Sequence, residues 1–350
     1  MRDGIRIGGI GRFRSVHVMR HDLVHGGSLD KMRAAFPNAS GPWIDLSTGI
    51  NPWSYPVPDV SPDTLNALPT RDAYQQCRAA MASVIGAPAD TLALAPGSEL
   101  LIRLLPQIIS PKRVAVLTPT YGDHAQVWRT AGCSVIETTS PLSLSSDVDA
   151  VAICNPNNPD GRLFHPDELE AARAKLAERG GWLIVDEAYT DLAPEFSLAR
   201  YAGAPGLIVL RSFGKFYGLA GLRLGAIIAS EDILRPISNL LGVWPVSGLA
   251  LDIVKRAYQD TSWQVSTRAR LDDARRRLDE ILVGTGIKEI HGTNLFRFVE
   301  CEDAHLIWRR LAERGIYVRR FSWSNQHLRF GLIANEAAET RLLEALSLSV

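Results

Sequence analysis

The sequence predicts an α/β fold, with a large domain built on a mostly parallel central sheet and a smaller α+β domain after it. From about Pro69, helical patterns alternate with short apolar runs, namely TLALA, RVAVLTP, AVAICNP, WLIVDEA, LIVLRSF and RLGAIIAS. Runs of this length that are bounded by Gly and Pro and alternate with helices are typical of parallel strands covered on both faces. Such a sheet is expected to bind its ligand beyond the carboxyl ends of the strands.

The pattern changes after about Trp244. A long charged helix, SWQVSTRARLDDARRRLDEILVG, is followed by a strand near NLFRFVE, a helix AHLIWRRLAERG, strands around IYVRR and HLRFGLI, and a last helix EAAETRLLEAL. We therefore expect a flexible N-terminal extension (1–24), a segment that joins the small domain (25–50), a large ligand-binding domain (51–245) and a small α+β domain (246–350). The Pro-rich segment 51–69 is expected to be an extended, turn-rich arm, because Pro lacks a backbone N–H and disfavours helix.

The composition argues against several classes of protein. Lys plus Arg and Asp plus Glu both number 38, so no net charge attracts nucleic acid or an anionic membrane. No apolar run approaches the roughly 18 residues of a membrane span. The cysteines have neither a CxxC pair nor a spacing suited to zinc; they are Cys77, Cys133, Cys154 and Cys301. We predict a cytoplasmic protein with free thiols, no metal, and no nucleic-acid or membrane partner.

The strongest chemical signal is SFGKFYGLAGLRLG at 212–225, where Lys215 follows a strand inside a glycine-rich bend. A lysine that forms a Schiff base needs a water-poor pocket, which lowers its pKa and makes the neutral amine available. Ser212 and Arg223 could hold an anionic group, since a guanidinium binds such groups through two parallel hydrogen bonds. Taken alone, the motif also fits a surface lysine in a flexible loop.

Two further motifs stand at the ends of other predicted strands. WLIVDEAY places Asp186 at the carboxyl end of a buried strand, with Tyr189 three residues later. A buried carboxylate there needs a cation, such as a protonated pyridine nitrogen, although Asp is also common as a helix N-cap. CNPNNPDG at 154–161 leaves another strand, and Asn158 in it could donate to a phenolate oxygen.

In combination these motifs resemble the fold-type I aminotransferase superfamily (class I/II), and they occur in its order and at its spacings from about His25 to the last helix. The resemblance implies an aspartate aminotransferase-like fold, and pyridoxal 5′-phosphate (PLP) as the cofactor of the 51–245 domain. Lys215 would hold PLP as a Schiff base and later move a proton at the substrate Cα. Asp186 would pair with the pyridine nitrogen, while Asn158 and Tyr189 would bond the ring oxygen.

The resemblance also implies how the rest of the site is built. The cofactor phosphate would lie where APGSELLIRLL opens a helix, because backbone N–H groups at a helix start bind anions. The residues implied at this phosphate site are Gly97, Ser98, Glu99, Ser212 and Arg223. Tyr121, in TPTYGDH, would stack on the cofactor ring, and Arg329, in HLRFG, would bind the substrate α-carboxylate.

The beginning of the sequence narrows the resemblance. VHGGSLDKM at 24–32 and IDLSTGINPW at 44–53 are similar to the opening of the L-threonine-O-3-phosphate decarboxylases of cobalamin biosynthesis, which share an HGG start and a D-x-S-x-x-I-N-P element. This resemblance implies decarboxylation of L-threonine O-3-phosphate to (R)-1-amino-2-propanol O-2-phosphate. The alternative is a histidinol-phosphate-type aminotransferase, which transfers an amino group to 2-oxoglutarate.

A phosphorylated amino acid needs basic groups beyond those that serve PLP. Arg319, in IYVRRFSW, and His25 are the candidates for the substrate phosphate, and Asn51, in the INP turn, is a further candidate for substrate contact. Alternatively, Arg319 is a surface charge at a strand end, His25 caps a helix, and Asn51 stabilises its turn.

The superfamily resemblance further implies a homodimer with shared active sites, and the arm 51–69 would suit such an interface. Many members have a Tyr-Pro element that reaches the PLP phosphate of the neighbouring subunit. Here Leu68 precedes the proline, and Tyr55 and Tyr74 are alternative tyrosines for that role.

Overall fold

A computed structural model describes residues 26–57, 59–143 and 145–347 of the chain. The predicted extension (1–24) and His25 lie outside the described residues. The strands are β1 (Ile44–Leu46), β2 (Leu92–Ala95), β3 (Arg113–Leu117), β4 (Ser134–Thr138), β5 (Ala150–Cys154), β6 (Trp182–Asp186), β7 (Leu207–Ser212), β8 (Gly225–Ala229), β9 (Ile290–Thr293), β10 (Phe296–Glu300), β11 (Ile316–Phe321) and β12 (Ser324–Gly331). The α-helices are α1 (Leu29–Ala35), α2 (Pro62–Asn66), α3 (Arg71–Ile85), α4 (Ser98–Ile108), α5 (Asp123–Thr130), α6 (Pro166–Ala177), α7 (Glu231–Leu241), α8 (Gly248–Gln259), α9 (Thr261–Gly284), α10 (Ala304–Glu313) and α11 (Glu336–Ser347).

The larger sheet has seven strands in the order β2-β8-β7-β6-β5-β3-β4. Only β8 among them runs against its neighbours β2 and β7, and the other pairs are parallel. Alternate residues of the central strands enter two different apolar clusters: Val151 and Ile153 pack in one, Ala150 and Ala152 in the other. The sheet is thus covered on both faces, and the predicted α/β class with a mostly parallel sheet is confirmed.

The smaller sheet has five strands in the order β1-β11-β12-β10-β9. β1 pairs in parallel with β11, and the remaining neighbours are antiparallel. β1 comes from the beginning of the chain, so the edge strand of this sheet is a segment that lies far from the other four strands in sequence. Residue Ser47, directly after β1, is thereby brought beside β12.

The structure differs from the sequence prediction at two elements. The prediction of an extended arm over 51–69 is wrong at α2, where Pro62 begins a five-residue helix. The Ser61 hydroxyl accepts a hydrogen bond from Asp63 N at 3.3 Å, and Pro is well suited to the first helical turn because no N–H is needed there. Strand β4 had no apolar run to reveal it, since it is an edge strand with two of its five residues partly buried and three exposed.

Within the described residues, no helix is both long enough and apolar enough to cross a bilayer. The four cysteines, all of them described, are free thiols.

Candidate active site

Two contiguous cavities lie at the carboxyl edge of the larger sheet. The inner cavity is lined by Gly97, Ser98, Glu99, Tyr121, Asn158, Asp186, Tyr189, Ser212, Lys215 and Arg223, which are the residues predicted to contact a cofactor. The outer cavity shares Glu99, Tyr121, Asn158, Tyr189 and Lys215 with it, and adds Gly26, Ser47, Arg319 and Arg329 among others. Parallel strands end on the same side of a sheet, so motifs separated by more than 100 residues meet here.

Helix α4 begins at the inner cavity and offers an anion site. Gly97 is its N-cap, with φ of +89°, and no side chain among the described residues caps the helix. The first N–H groups of a helix have no partner within it, and they attract an anion. The Ser98 and Ser212 hydroxyls lie 2.6 Å apart at this helix end. A Cβ on Gly225 would lie 2.5 Å from Ser98 N, so glycine there allows β8 to approach the helix end.

Arg223 faces the same helix end. It has a φ of +51°, a left-handed conformation that is unusual for a residue other than glycine. Its Nη2 atom would lie 3.0 Å from a Cβ on Gly97, so the guanidinium lies directly beside the N-cap. The carboxylate of Glu99 lies 3.7 Å from Arg223 Nη2 and 3.2 Å from Arg103 Nη2. Glu99 can therefore bind an anion only through its backbone N–H.

Lys215 is partly buried in the bend after β7 and lines both cavities. Desolvation is the largest influence on its pKa and lowers it from the ordinary value, and the positive charge of Arg329 acts in the same direction. Asp186 opposes them. The net lowering increases the fraction of neutral amine, which is what a nucleophilic lysine needs.

Asp186 ends β6 with only 4% of its surface exposed. One carboxylate oxygen accepts a hydrogen bond from Ala188 N at 3.0 Å, and the other lies 3.0 Å from His124 Nε2. His124 was not among the residues predicted from the sequence, although it stands in the TPTYGDH motif, three residues after Tyr121. Because α5 begins at Asp123, one turn of chain places Tyr121 at the inner cavity and the buried His124 imidazole beside Asp186.

Two arginines face the outer cavity from neighbouring strands. Arg319 on β11 and Arg329 on β12 are directly opposite in the antiparallel register, so their side chains leave the same face of the smaller sheet. Arg329 is buried and donates to Ser47 O at 2.8 Å and to Asn158 Oδ1. Arg319 Nη1 is buried without a hydrogen-bond partner among the described residues.

The positive charges of Arg319 and Arg329 repel each other. Burial and the charge of Arg329 lower the pKa of Arg319 to about 10, and burial likewise lowers the pKa of Arg329. At neutral pH Arg319 is still cationic, because about 10 is well above 7. A buried and a partly buried guanidinium side by side are stabilised by bound anions, so this face of the sheet suits a ligand with two negative groups.

The structure places Asn51 beside the Lys215 bend. Its Nδ2 donates to Phe216 O at 2.8 Å, its Oδ1 accepts from Trp53 N at 2.9 Å, and its backbone N–H donates to Lys215 O at 3.0 Å. Both polar atoms of the side chain are thus used to hold backbone. Its predicted contact with substrate stays a prediction, as does that of His25, which is outside the described residues.

The two alternative tyrosines are both engaged within the chain. Tyr55 is buried, with its ring packed edge-on against those of Trp263 and Tyr217. The Tyr74 hydroxyl accepts a hydrogen bond from Leu94 N at 2.8 Å. Their roles toward a neighbouring subunit stay open.

Comparison with known proteins agrees with this geometry. Residues 56–346 match the family model of aminotransferase class I and II, and the chain belongs to this family. It is 40% identical over 331 residues to a threonine-phosphate decarboxylase of Sinorhizobium sp, covering 94% of this chain and 99% of the relative. It is also 40% identical over 326 residues to a threonine-phosphate decarboxylase of Pseudomonas aeruginosa, covering 93% and 97%.

A solved structure supports the fold. The histidinol-phosphate aminotransferase of Clostridium acetobutylicum superposes with a TM-score of 0.75 at 22% identity, over 87% of this chain and 98% of the other. The donor set of the inner cavity fits PLP, the cofactor of such a site. It combines an uncapped helix start beside Arg223 for a phosphate, a buried carboxylate for a ring nitrogen, and a lysine of lowered pKa for an aldehyde.

Proposed function

We propose that this chain catalyses the PLP-dependent decarboxylation of L-threonine O-3-phosphate to (R)-1-amino-2-propanol O-2-phosphate, a step of cobalamin biosynthesis. The pairing of Arg319 with Arg329 across β11 and β12, at the cavity that contains Lys215, carries the proposal. The substrate has a carboxylate at one end and a phosphate at the other, and the two guanidinium groups match these two anions. The two 40%-identical relatives, both threonine-phosphate decarboxylases, support the same conclusion.

In this proposal the inner cavity holds the cofactor. The N–H groups at the start of α4, with Ser98, Ser212 and Arg223, would bind the cofactor phosphate, and Tyr121 would contact the ring. Asp186, supported by His124, would pair with the ring nitrogen, and Asn158 and Tyr189 would bond the ring oxygen. When bound, PLP supplies an electron sink for the pair of electrons that remains on Cα after CO2 leaves.

The remaining steps fall to residues of the chain itself. Arg329 binds the α-carboxylate and Arg319 the phosphate, so the substrate is held at both ends and cannot rotate freely about Cα. That orientation selects the Cα–carboxylate bond for cleavage. The Lys215 amine, with its lowered pKa, then carries a proton to Cα, since it lies in both cavities and can exchange between the protonated and neutral forms.

The test is release of CO2 from threonine phosphate without an oxo-acid acceptor. Purified protein is incubated with PLP and carboxyl-labelled L-threonine O-3-phosphate, and labelled CO2 and the amino alcohol phosphate are quantified. We expect the two products in equal amounts, and none from the Lys215→Ala variant. Amino transfer to 2-oxoglutarate without CO2 would instead indicate an aminotransferase and would contradict the proposal.

We further propose that the protein is a cytoplasmic homodimer. The free thiols suit a reducing compartment. Leu68, Val243 and Trp244 are 64%, 80% and 56% exposed. They border two surface cavities that share Pro69 and Thr70, so the three side chains belong to one apolar surface. Large apolar side chains gathered on one surface are typical of an interface, and we propose that a second copy of the chain covers them.

A further inference from the structure

Ser47 is the backbone partner of the arginine proposed to bind the substrate carboxylate. It follows β1, is fully buried, and its carbonyl accepts a hydrogen bond from Arg329 Nη2 at 2.8 Å. A second hydrogen bond of this guanidinium goes from Nη1 to Asn158, which also lines the inner cavity. The direction of the Ser47 carbonyl therefore helps to set where Arg329 points, independently of the cofactor.

Hydrogen bonds of its side chain and of its N–H fix the orientation of Ser47. Asp45 Oδ1 accepts from Ser47 N at 2.9 Å and from Ser47 Oγ at 2.6 Å. Ser47 Oγ in turn accepts from Gly27 N at 2.7 Å. The side chain and the N–H of one serine are thus tied to a carboxylate and to a separate segment of chain, so its backbone has little freedom to rotate.

The carboxylate of Asp45 also has an electrostatic effect. Burial lowers the pKa of Arg329, and two neighbours, first Tyr189 and then the carboxylate of Asp45, act in the opposite direction. Asp45 thereby reduces the unfavourable effect of holding a charged guanidinium in the interior. It orients the serine and favours the cationic form of the arginine at the same time.

Gly26 packs directly against the carbonyl group of Ser47. A Cβ at this position would lie 2.3 Å from Ser47 O and 2.8 Å from Ser47 C. Any side chain would therefore push the carbonyl away or lift the segment off it. Gly26 also lines the outer cavity, so the segment that covers Ser47 forms part of the wall around the substrate.

From these contacts we propose that Ser47 is a positioning residue for the decarboxylation, which acts by aiming Arg329 at the substrate carboxylate, with Asp45, Gly26 and Gly27 holding it in place. This inference rests on the proposed function and deepens it. It also gives the two glycines of the HGG motif a physical role, because Gly26 leaves room for the carbonyl that Arg329 uses, and Gly27, with φ of +86°, donates its N–H to Ser47 Oγ.

The substrate and the product provide a direct test, because they differ only in the carboxylate. In Ser47→Ala we expect the KM for L-threonine O-3-phosphate to rise on the order of tenfold, as for a weakened hydrogen bond to a charged group. The inhibition constant of (R)-1-amino-2-propanol O-2-phosphate should stay within about twofold of the wild-type value, because the product does not use Arg329. Gly26→Ala reaches the carbonyl by steric contact alone and should give the same pattern.

Ser197 offers a matched control. It is also buried, its Oγ donates to Glu187 Oε2 at 2.7 Å, and it accepts from Ala199 N at 3.1 Å. Ser197→Ala removes the same kind of hydrogen bonds without contact to Arg329, so its ratio of KM to product inhibition constant should equal that of the wild type.

Several outcomes would overturn the inference. The first is an unchanged KM in both Ser47→Ala and Gly26→Ala. The second is a parallel rise of the KM and the product inhibition constant, which would indicate general damage to the cavity. Should Ser47→Ala fail to fold, Gly26→Ala and Asp45→Asn decide the matter by the same two constants. Absence of CO2 release by the wild-type protein would contradict the proposed function instead, so this is measured first.

Discussion

The charge and the burial of Arg319 are both explained by a bound ligand. Its guanidinium is opposed across the strands by Arg329, and its Nη1 atom has no partner among the described residues. A buried donor without a partner is unfavourable by about 1–3 kcal/mol, and a neighbouring like charge adds to this. Such an arrangement is explained if the group is completed by a ligand, and a phosphate provides the charge and the acceptor atoms that are missing.

Replacement of Arg319 by Gln should therefore affect the phosphorylated substrate selectively. We expect the KM for L-threonine O-3-phosphate to rise by about 10- to 100-fold, the range of a charged hydrogen bond, with a smaller change in kcat. Steady-state measurement of CO2 release gives both constants.

The neighbouring residue provides the control for this prediction. The Arg320 guanidinium lies 4.5 Å from the centre of the Trp308 ring, so it packs against α10, although Arg320 also lines the outer cavity. Arg320→Gln should change the KM by less than about threefold, as expected for an exposed charge. Equal losses in the two variants would mean that only the general positive charge of the strand matters.

Residue identities at the site could be predicted where a motif required a particular chemistry. Lys215 and Asn158 each follow an apolar strand and Asp186 ends one, and such strands end at one edge of the sheet, where the structure brings all three together. His124 could not be found in this way, because a single histidine in a helical pattern has no signature. Its importance arises from the 3.0 Å contact with Asp186, 62 residues away.

At the scale of elements, the start of α4 decides how an anion is held. Gly97 has φ of +89° and ψ of 153°, a conformation open almost only to glycine, and the Arg223 guanidinium approaches to 3.0 Å from the position that a Cβ would occupy. A tight turn and the approach of a cation thus depend on the same missing side chain.

Gly97→Ala should weaken PLP binding as well as folding. We expect the dissociation constant of PLP, from absorbance titration of the apoprotein, to rise about tenfold or more, because helix N–H groups and Arg223 would both move from the anion. The free energy of unfolding should fall by about 1–3 kcal/mol, the usual effect of a side chain in a strained backbone conformation.

Gly86→Ala separates the two effects. Gly86 ends α3 with φ of +75°, and a Cβ there would meet nothing within 4 Å. This variant should lower the free energy of unfolding without changing the dissociation constant of PLP. If it weakened PLP binding as much as Gly97→Ala, the anion site would not lie at the start of α4.

The elements that the sequence could not predict are the ones whose stability comes from elsewhere in the fold. The buried central strands were visible because burial on both faces demands a continuous apolar run. β4 is formed by pairing with β3 alone, and its exposed face has no apolar constraint. α2 is a single turn that depends on Ser61 and Pro62, which local patterns of apolar residues do not reveal.

At the scale of the whole molecule, the proposed site joins the two sheets. The outer cavity has walls from the large sheet, through Asn158 and Lys215, and from the small one, through Arg319 and Arg329. The hydrogen bond from Arg329 to Asn158 connects the two walls directly. The sequence could predict both sets of residues separately, but not this contact, because 171 residues separate the two partners.

At the same scale, the apolar side chains of Leu68, Val243 and Trp244 remain exposed to solvent in the single chain. If a second copy covers them, a charge placed there must be buried in the dimer without a partner, which is strongly unfavourable. Trp244→Asp should therefore convert a dimer into a monomer in sedimentation velocity at micromolar concentration, and Val243→Asp should do the same.

The fold of these variants should remain intact, because both side chains are mostly in solvent within one chain. Val283→Asp, at a site 59% exposed on α9, introduces the same charge outside the apolar surface and should leave the sedimentation coefficient unchanged. A wild-type protein that sediments as a monomer would contradict the proposed homodimer. A Trp244→Asp variant that remains dimeric would show that the interface lies elsewhere, because an interface core does not tolerate an unpaired carboxylate.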